Sequence, residues 1–127
     1  MATVELGAAN FDDTIMNNDI VFVDFWAEWC GPCRQFGPIF EKASEKYGDI
    51  VFGKVDTEAE QQLSAAASIT SIPTLMVFRE KVMVFNQAGA LPEPALEQLI
   101  DAVKGLDMAE VHKQVAEAQA AATGSAE

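Results

Sequence analysis

Residues 20 to 33 read Ile-Val-Phe-Val-Asp-Phe-Trp-Ala-Glu-Trp-Cys-Gly-Pro-Cys, and they give the clearest indication of how the 127-residue chain folds. Its first seven residues are an almost unbroken run of β-branched and aromatic side chains, which is typical of a parallel strand buried on both faces. The stretch ends in Cys30 and Cys33, the two cysteines of the chain. The sequence therefore predicts a thiol pair at the end of a central strand.

A helix is predicted directly after the second cysteine. Apolar residues recur there at three- and four-residue steps over about four turns, at Phe36, Ile39, Phe40, Ala43 and Tyr47. Cys30 lies at the N-terminus of this helix, where the helix dipole favours an anion, so its thiolate should form below the free-thiol pKa of ~8.5. Pro32 suits the first turn, because its missing N–H costs nothing there. Pro38 removes a backbone hydrogen bond deeper in the helix and should kink it.

Several uses of a cysteine pair have to be weighed. A structural disulfide gains most by closing a long loop, and this pair would close a very short one. A zinc site needs about four ligands, and the one histidine, His112, is distant in the sequence, so no metal site is predicted. Two inert buried thiols remain an alternative. The order strand, Cys-x-x-Cys, helix within a βαβ pattern favours a redox pair.

The segment from Val23 to Cys33, together with Ser71-Ile72-Pro73-Thr74, resembles the bacterial thioredoxin family over roughly residues 3 to 104. The resemblance implies an α/β thioredoxin fold with a mixed central sheet and helices on both faces. Patterns in the rest of the chain give the same order, β-α-β-α-β-α-β-β-α. The predicted strands cover residues 3–6, 20–26, 50–55, 74–78 and 82–85. Besides the helix after Cys33, three helices are predicted: one that begins after Asn10, one over residues 58–67 and one over residues 94–104.

The sequence divides into a domain of residues 1–105 and a C-terminal extension of residues 106–127. Gly105 stands where a helix would stop. Beyond it, Met108, Val111, Val115 and Ala118 follow a helical spacing, which predicts a weakly stable helix with a disordered end from about residue 121. A docking segment for a partner or a second copy is the alternative use of this thin apolar stripe.

Four residues are candidates for the chemistry. Cys30 would attack a target disulfide as a thiolate, and Cys33 would resolve the mixed disulfide. Asp24, in the middle of a buried strand, should have a raised pKa. On sequence alone a strand-end aspartate bonded to backbone is the simpler interpretation, whereas the resemblance implies a proton acceptor. The resemblance also places Lys54 near that aspartate, and a surface ion pair is the alternative for this lysine.

The resemblance implies a substrate-binding rim made of Trp29, Gly31, Pro32, Ile72, Pro73, Gly89 and Ala90. In the family the proline that matches Pro73 is cis and faces the cysteines, although only ~5% of X–Pro bonds are cis in general. Such a turn would present the Ile72 backbone to an extended client segment. Gly89 would let a client backbone pass close to the site. Trp26, at the end of the buried strand, is expected to belong to the core.

The net charge of −12 argues against nucleic acid and anionic membranes as partners. No leader or membrane span is recognisable, which predicts a cytoplasmic monomer. The resemblance implies a protein-disulfide reductase that needs no bound cofactor, takes electrons from NADPH through thioredoxin reductase, and serves electron transport and cell redox homeostasis. A thiol oxidant or isomerase on the same fold is the runner-up, and a non-enzymatic binding subunit is the third hypothesis.

Overall fold

The computed structural model describes residues 2 to 125 and contains a five-stranded mixed sheet. The strand order is β1-β3-β2-β4-β5, with β2 in the centre. Strands β1 and β2 pair with β3 in parallel, and β4 pairs antiparallel with β2 and β5. The strands are β1 (Val4–Glu5), β2 (Ile20–Trp26), β3 (Val51–Asp56), β4 (Thr74–Arg79) and β5 (Val82–Ala88). The predicted thioredoxin fold is confirmed.

Helices cover both faces of this sheet. They are α1 (Phe11–Asn17), α2 (Gly31–Lys46), α3 (Gln61–Ala66), α4 (Glu93–Lys104) and α5 (Met108–Ser125). Helix α3 starts later than predicted, because Asp56 Oδ1 accepts the N–H groups of Glu58 and Ala59 at 3.0 and 3.4 Å and holds those residues in a turn. Strand β5 extends to Ala88, three residues beyond the predicted end.

Alternation along β2 divides the core into two halves. Ile20 and Phe22 face α2 and α4, where they pack with Phe36, Phe40 and Ile100. Val21, Val23 and Phe25 face α1 and α3 and pack with Phe11, Ile15 and Val55. Asp24 shares the face of Ile20 and Phe22, because it lies an even number of residues from both. The acid therefore points toward the side of the sheet that α2 covers.

The turn before α1 and the turn between β4 and β5 each have a specific local geometry. Asn10 stands at the predicted start of α1, but its side chain does not cap the helix. Its Oδ1 instead accepts the Gly7 N–H at 2.8 Å, and its Nδ2 donates to the Glu5 carbonyl at 3.0 Å. In the β4–β5 hairpin, Glu80 and Lys81 both have positive φ, 50° and 70°, which makes a type I′ turn without glycine.

The C-terminal extension is a helix that lies beside the β5 strand. Helix α5 continues to Ser125, whereas the sequence predicted a disordered end from about residue 121. His112 Nε2 lies 2.8 Å from Glu80 Oε1 in the hairpin turn. Arg79 Nη1 donates to the carbonyls of Val103, Lys104 and Leu106, so β4 holds the segment that joins α4 to α5. Within residues 2 to 125, none of the helices has the length and hydropathy needed to cross a bilayer.

Candidate active site

Cys30 and Cys33 form a disulfide at the N-terminus of α2, with their Cα atoms 5.2 Å apart. Cys30 is the N-cap residue, and its Sγ accepts the backbone N–H of Cys33 at 3.2 Å. Pro32 occupies the first turn, as predicted. The same amide and the positive end of the helix dipole would stabilise a Cys30 thiolate after reduction, because both favour negative charge at this atom.

The two cysteines are almost equally buried in the disulfide form. Cys30 is 4% exposed and Cys33 is 5% exposed, so its place at the helix start does not make Cys30 the more exposed member of the pair in this form. The cause is the neighbouring loop. Ile72 packs against the cluster formed by Ala27 and the two cysteines, and its carbonyl oxygen lies 3.6 Å from Cys30 Sγ. Access to the sulfur therefore depends on what approaches over this loop.

Asp24 is completely buried, and neither carboxylate oxygen has a hydrogen-bond partner among the described residues. The interpretation as a strand-end residue bonded to backbone is therefore wrong. The pKa of Asp24 is raised from 3.8 to about 7, because the effect of burial outweighs the positive charge of Lys54, which lowers the pKa. A carboxyl group with this pKa exchanges protons near neutral pH.

Lys54 lies opposite Asp24 in the parallel pairing of β2 with β3. Its ammonium stands over the Trp26 ring, 4.9 Å from the ring centroid. None of the ion pairs formed within residues 2 to 125 includes Lys54, which argues against the surface ion pair. Trp26 is only partly buried and packs against the cluster formed by Ala27 and the two cysteines, so it is not the core residue that its strand position predicted.

The Ile72–Pro73 peptide bond is cis. The Pro73 carbonyl accepts the N–H of Gly89 at 2.8 Å, which brings the loop after β5 next to the loop before β4. Gly89 has φ +110°, a conformation that residues with side chains rarely adopt, and a Cβ there would meet no atom within 4 Å among the described residues other than its chain neighbours. The space beside Gly89 is therefore open to another molecule.

The structure distributes the predicted rim residues unequally. Trp29 is 66% exposed, the most exposed large hydrophobic side chain of the described part of the chain. Gly31, Pro32 and Gly89 are also exposed, Ile72 and Ala90 are half-buried, and Pro73 is buried. A cleft of about 520 Å³ lies between Trp29, Ile72 and α3.

Two further clefts lie beside Lys54, the strand partner of Asp24, and they reveal a residue that the sequence interpretation missed. One has a volume of about 530 Å³ and the other, which reaches Cys33, about 430 Å³. Trp26, Lys54 and Glu41 line both. The signal for Glu41 was its spacing, since it lies eight residues after Cys33 and therefore on the same face of α2.

The described residues contain no group of three or more histidine, cysteine, aspartate or glutamate side chains placed to hold a metal ion. The site therefore consists of a disulfide at a helix N-terminus, a buried acid that titrates near neutral pH, and an adjacent cis-proline loop. These are the parts that thiol–disulfide exchange needs: a stabilised thiolate, a second thiol within reach, and a proton acceptor. Fold and site define a thiol–disulfide oxidoreductase.

Comparison with known proteins gives the family. The thioredoxin family model matches residues 2–102. "Putative thioredoxin 2" of Streptomyces coelicolor is 60% identical over 121 residues, covering 95% of this chain and 90% of the relative. Thioredoxin C-3 of Corynebacterium nephridii is 42% identical over 99 residues, 77% of this chain and 68% of the relative. The chain belongs to the thioredoxin family, whose members are thiol–disulfide oxidoreductases.

Solved structures agree with this assignment. A Plasmodium falciparum thioredoxin superposes with a TM-score of 0.73 at 39% identity, covering 79% of this chain and 98% of that one. A mutant thioredoxin from Halobacterium salinarum superposes with a TM-score of 0.76 at 32% identity, covering 82% of this chain and 92% of that one. The Streptomyces coelicolor match, at 121 residues, also reaches into the C-terminal extension, which the shorter matches largely leave out.

Proposed function

We propose that this protein reduces disulfides of client proteins in the cytoplasm and is recharged by NADPH-dependent thioredoxin reductase, as a monomeric electron carrier in cell redox homeostasis. Residues 1–105 form the catalytic domain, and residues 106–127 form an extension. The observation that carries the proposal is the placement of the Cys30–Cys33 disulfide between a helix N-terminus, the Ile72 loop and the buried acid.

Exchange proceeds in two displacements. The Cys30 thiolate attacks one sulfur of the client disulfide, forms a mixed disulfide and releases the other client sulfur as a thiolate, which takes up a proton. Cys33 then attacks Cys30 Sγ, closes the intramolecular disulfide and releases the second client thiol. The client gains two electrons, and the cysteine pair loses two. The disulfide form of the structure is the product of this half-reaction.

Asp24 supplies the proton acceptor for the second displacement. Cys33 stays protonated until the mixed disulfide forms, because it is as buried as Cys30 but does not hold the N-cap position that stabilises the Cys30 thiolate. Asp24, on the face of the sheet that α2 covers, accepts that proton directly or through water in the cleft beside Cys33. Lys54 stabilises the Asp24 carboxylate once the proton has left it.

The rim binds clients through backbone and apolar contacts. An extended client segment lies along Ile72 and passes Gly89, where open space permits close approach of a backbone. Trp29 packs on the client side chains, while Gly31, Pro32, Pro73 and Ala90 shape the surface around the sulfur. Such contacts select an extended conformation more than a sequence, which suits a reductase of many proteins.

Replacing Trp29 with alanine should lower kcat/KM for a protein disulfide about 5- to 10-fold, because an exposed aromatic anchor of ~1 kcal/mol or more is lost. The measurement is single turnover of the reduced protein with excess insulin, quenched by alkylation and read by mass. Reaction with a small aromatic disulfide should change less than 2-fold, because that substrate does not reach across the rim.

Met83→Ala is the matched control, since Met83 is 49% exposed but lies on β5 in the groove beside α5. It should leave both rates unchanged. Equal losses in the two variants would count against the rim. Failure of the wild-type protein to support NADPH oxidation with a bacterial thioredoxin reductase and insulin would refute the proposed function as a whole.

A further inference from the structure

Glu41 of α2 holds a carboxylate that is tied at one oxygen and unpaired at the other. Its Oε2 accepts the hydroxyl of Thr3 at 2.7 Å. Its Oε1 is buried and has no hydrogen-bond partner among the described residues. A buried carboxylate oxygen without a donor is costly, so a nearby positive charge gains energy by approaching it.

Lys54 is the cation placed to do so. Lys54 and Glu41 line the same two clefts, and Lys54 is the single cation among the residues that line the cleft next to β1. Its ammonium rests over Trp26, outside every ion pair of the described residues. The other charged residues that line the two clefts are Glu5, Glu28, Arg34, Asp56 and Glu60.

Asp24 is the second acid on which the Lys54 ammonium acts electrostatically. The two residues are paired across β2 and β3, and Lys54 is the charge that counteracts the effect of burial on Asp24. Lys54 is therefore paired across the sheet with Asp24 and lines the same clefts as Glu41, and both carboxyl groups have a buried oxygen without a donor among the described residues. When Asp24 is protonated and neutral, Glu41 is the stronger attraction, and when Asp24 is ionised the two compete.

We propose that Glu41 is a positioning residue for the disulfide chemistry: it draws the Lys54 ammonium away from Asp24 and so keeps Asp24 able to hold a proton near neutral pH. The inference rests on the proposed role of Asp24 as proton acceptor. Thr3 contributes by fixing the Glu41 side chain at the mouth of the cleft.

The test is the titration of Asp24 in the oxidised protein, where neither cysteine titrates. The Asp24 carboxyl carbon is followed by ¹³C NMR in wild type and in Glu41→Gln, with Asp24→Asn to assign the signal. Glu41→Gln keeps an acceptor for Thr3 but removes the charge. The titration midpoint should fall by about 0.5 to 1 pH unit, because Lys54 is freed for Asp24 and a negative charge is lost. On the acid side of the pH–rate profile for insulin reduction, the pH at which the rate falls should decrease by a similar amount.

Two comparisons isolate the mechanism. Glu45→Gln removes the same charge one turn further along α2, at an exposed position, and should shift the midpoint by less than ~0.2 unit. In a Lys54→Met background, the effect of Glu41→Gln should shrink to less than half, because the shared cation is gone. Equal shifts in the Glu41 and Glu45 variants, or a full shift without Lys54, would overturn the inference.

The same data separate this inference from the function on which it rests. A shifted Asp24 titration together with a pH–rate profile that Asp24→Asn leaves unchanged would support the Lys54 competition and contradict the role of Asp24 as proton acceptor. An unshifted titration together with a profile that responds to Asp24→Asn would do the reverse.

Discussion

Cys30→Ser should reduce the rate of insulin disulfide reduction by at least ~10³-fold, because a serine hydroxyl is a far weaker nucleophile near neutral pH than a cysteine thiolate and forms no mixed disulfide. The helix dipole and the Cys33 amide are arranged around the sulfur at this position, and Cys33, the one thiol that remains in the variant, does not occupy the N-cap position. Steady-state reduction driven by dithiothreitol, corrected for the uncatalysed reaction, measures the loss.

Cys33→Ser is the matched variant, since it removes a sulfur from the same pair. It should lose turnover to a similar extent but keep the first displacement, so that a mixed disulfide between Cys30 and the client accumulates. Mass spectrometry of the unreduced reaction mixture detects that adduct. If both cysteine variants kept the protein's effect on its client proteins, the non-enzymatic binding subunit would be favoured instead.

Asp24→Asn should raise the free energy of unfolding at pH 8 by about 2 to 4 kcal/mol. Burial raises the pKa of Asp24 from 3.8 to about 7, so between these pH values the folded state holds a proton that the unfolded state has released. The protonated Asp24 carboxyl makes its full contribution to the free energy of unfolding below pH ~3.8, and this contribution is lost as the pH rises toward 7. Asparagine is uncharged at every pH, and its unpaired amide keeps the gain below the full value.

Urea unfolding of the oxidised proteins at pH 4.5 and pH 8 measures this effect. The free energy of unfolding of the variant should exceed that of the wild type only slightly at pH 4.5 and by the larger amount at pH 8. A constant difference between the two proteins at both pH values would show that the carboxyl group does not titrate in this range. The stabilised variant should also reduce insulin more slowly, because stability gained at a catalytic position commonly costs activity.

Local patterns in the sequence predicted most of the fold. The apolar run from Ile20 to Trp26 and the period change after Cys33 predicted β2 and α2, because strand alternation and helical spacing are visible within one segment. The bounds of α3 were wrong by three residues at its start, since a side-chain bond from Asp56 replaces the first helical turn. The hairpin turn at Glu80 and Lys81 adopts a conformation that the residue types did not indicate.

The sequence predicted only part of the site, because several of its contacts join residues that lie far apart in the chain. Asp24, Lys54 and the cysteines follow the family spacing, but the burial of Cys30 is produced by Ile72, which is forty-two residues away in the chain. Glu41 acquires its importance from Thr3, thirty-eight residues earlier in the sequence, and from clefts that exist only in the folded chain. Contacts of this kind have no signature in a local pattern.

The equilibrium reduction potential of the Cys30/Cys33 pair tests the central claim most directly. The protein is equilibrated in dithiothreitol or glutathione buffers, and the disulfide fraction is read from tryptophan fluorescence, since Trp26 packs against the cluster that contains both cysteines. For a reductase we predict a potential below the glutathione range of about −220 to −260 mV. A value near −120 to −180 mV, roughly where thiol oxidants and isomerases lie, would contradict the account.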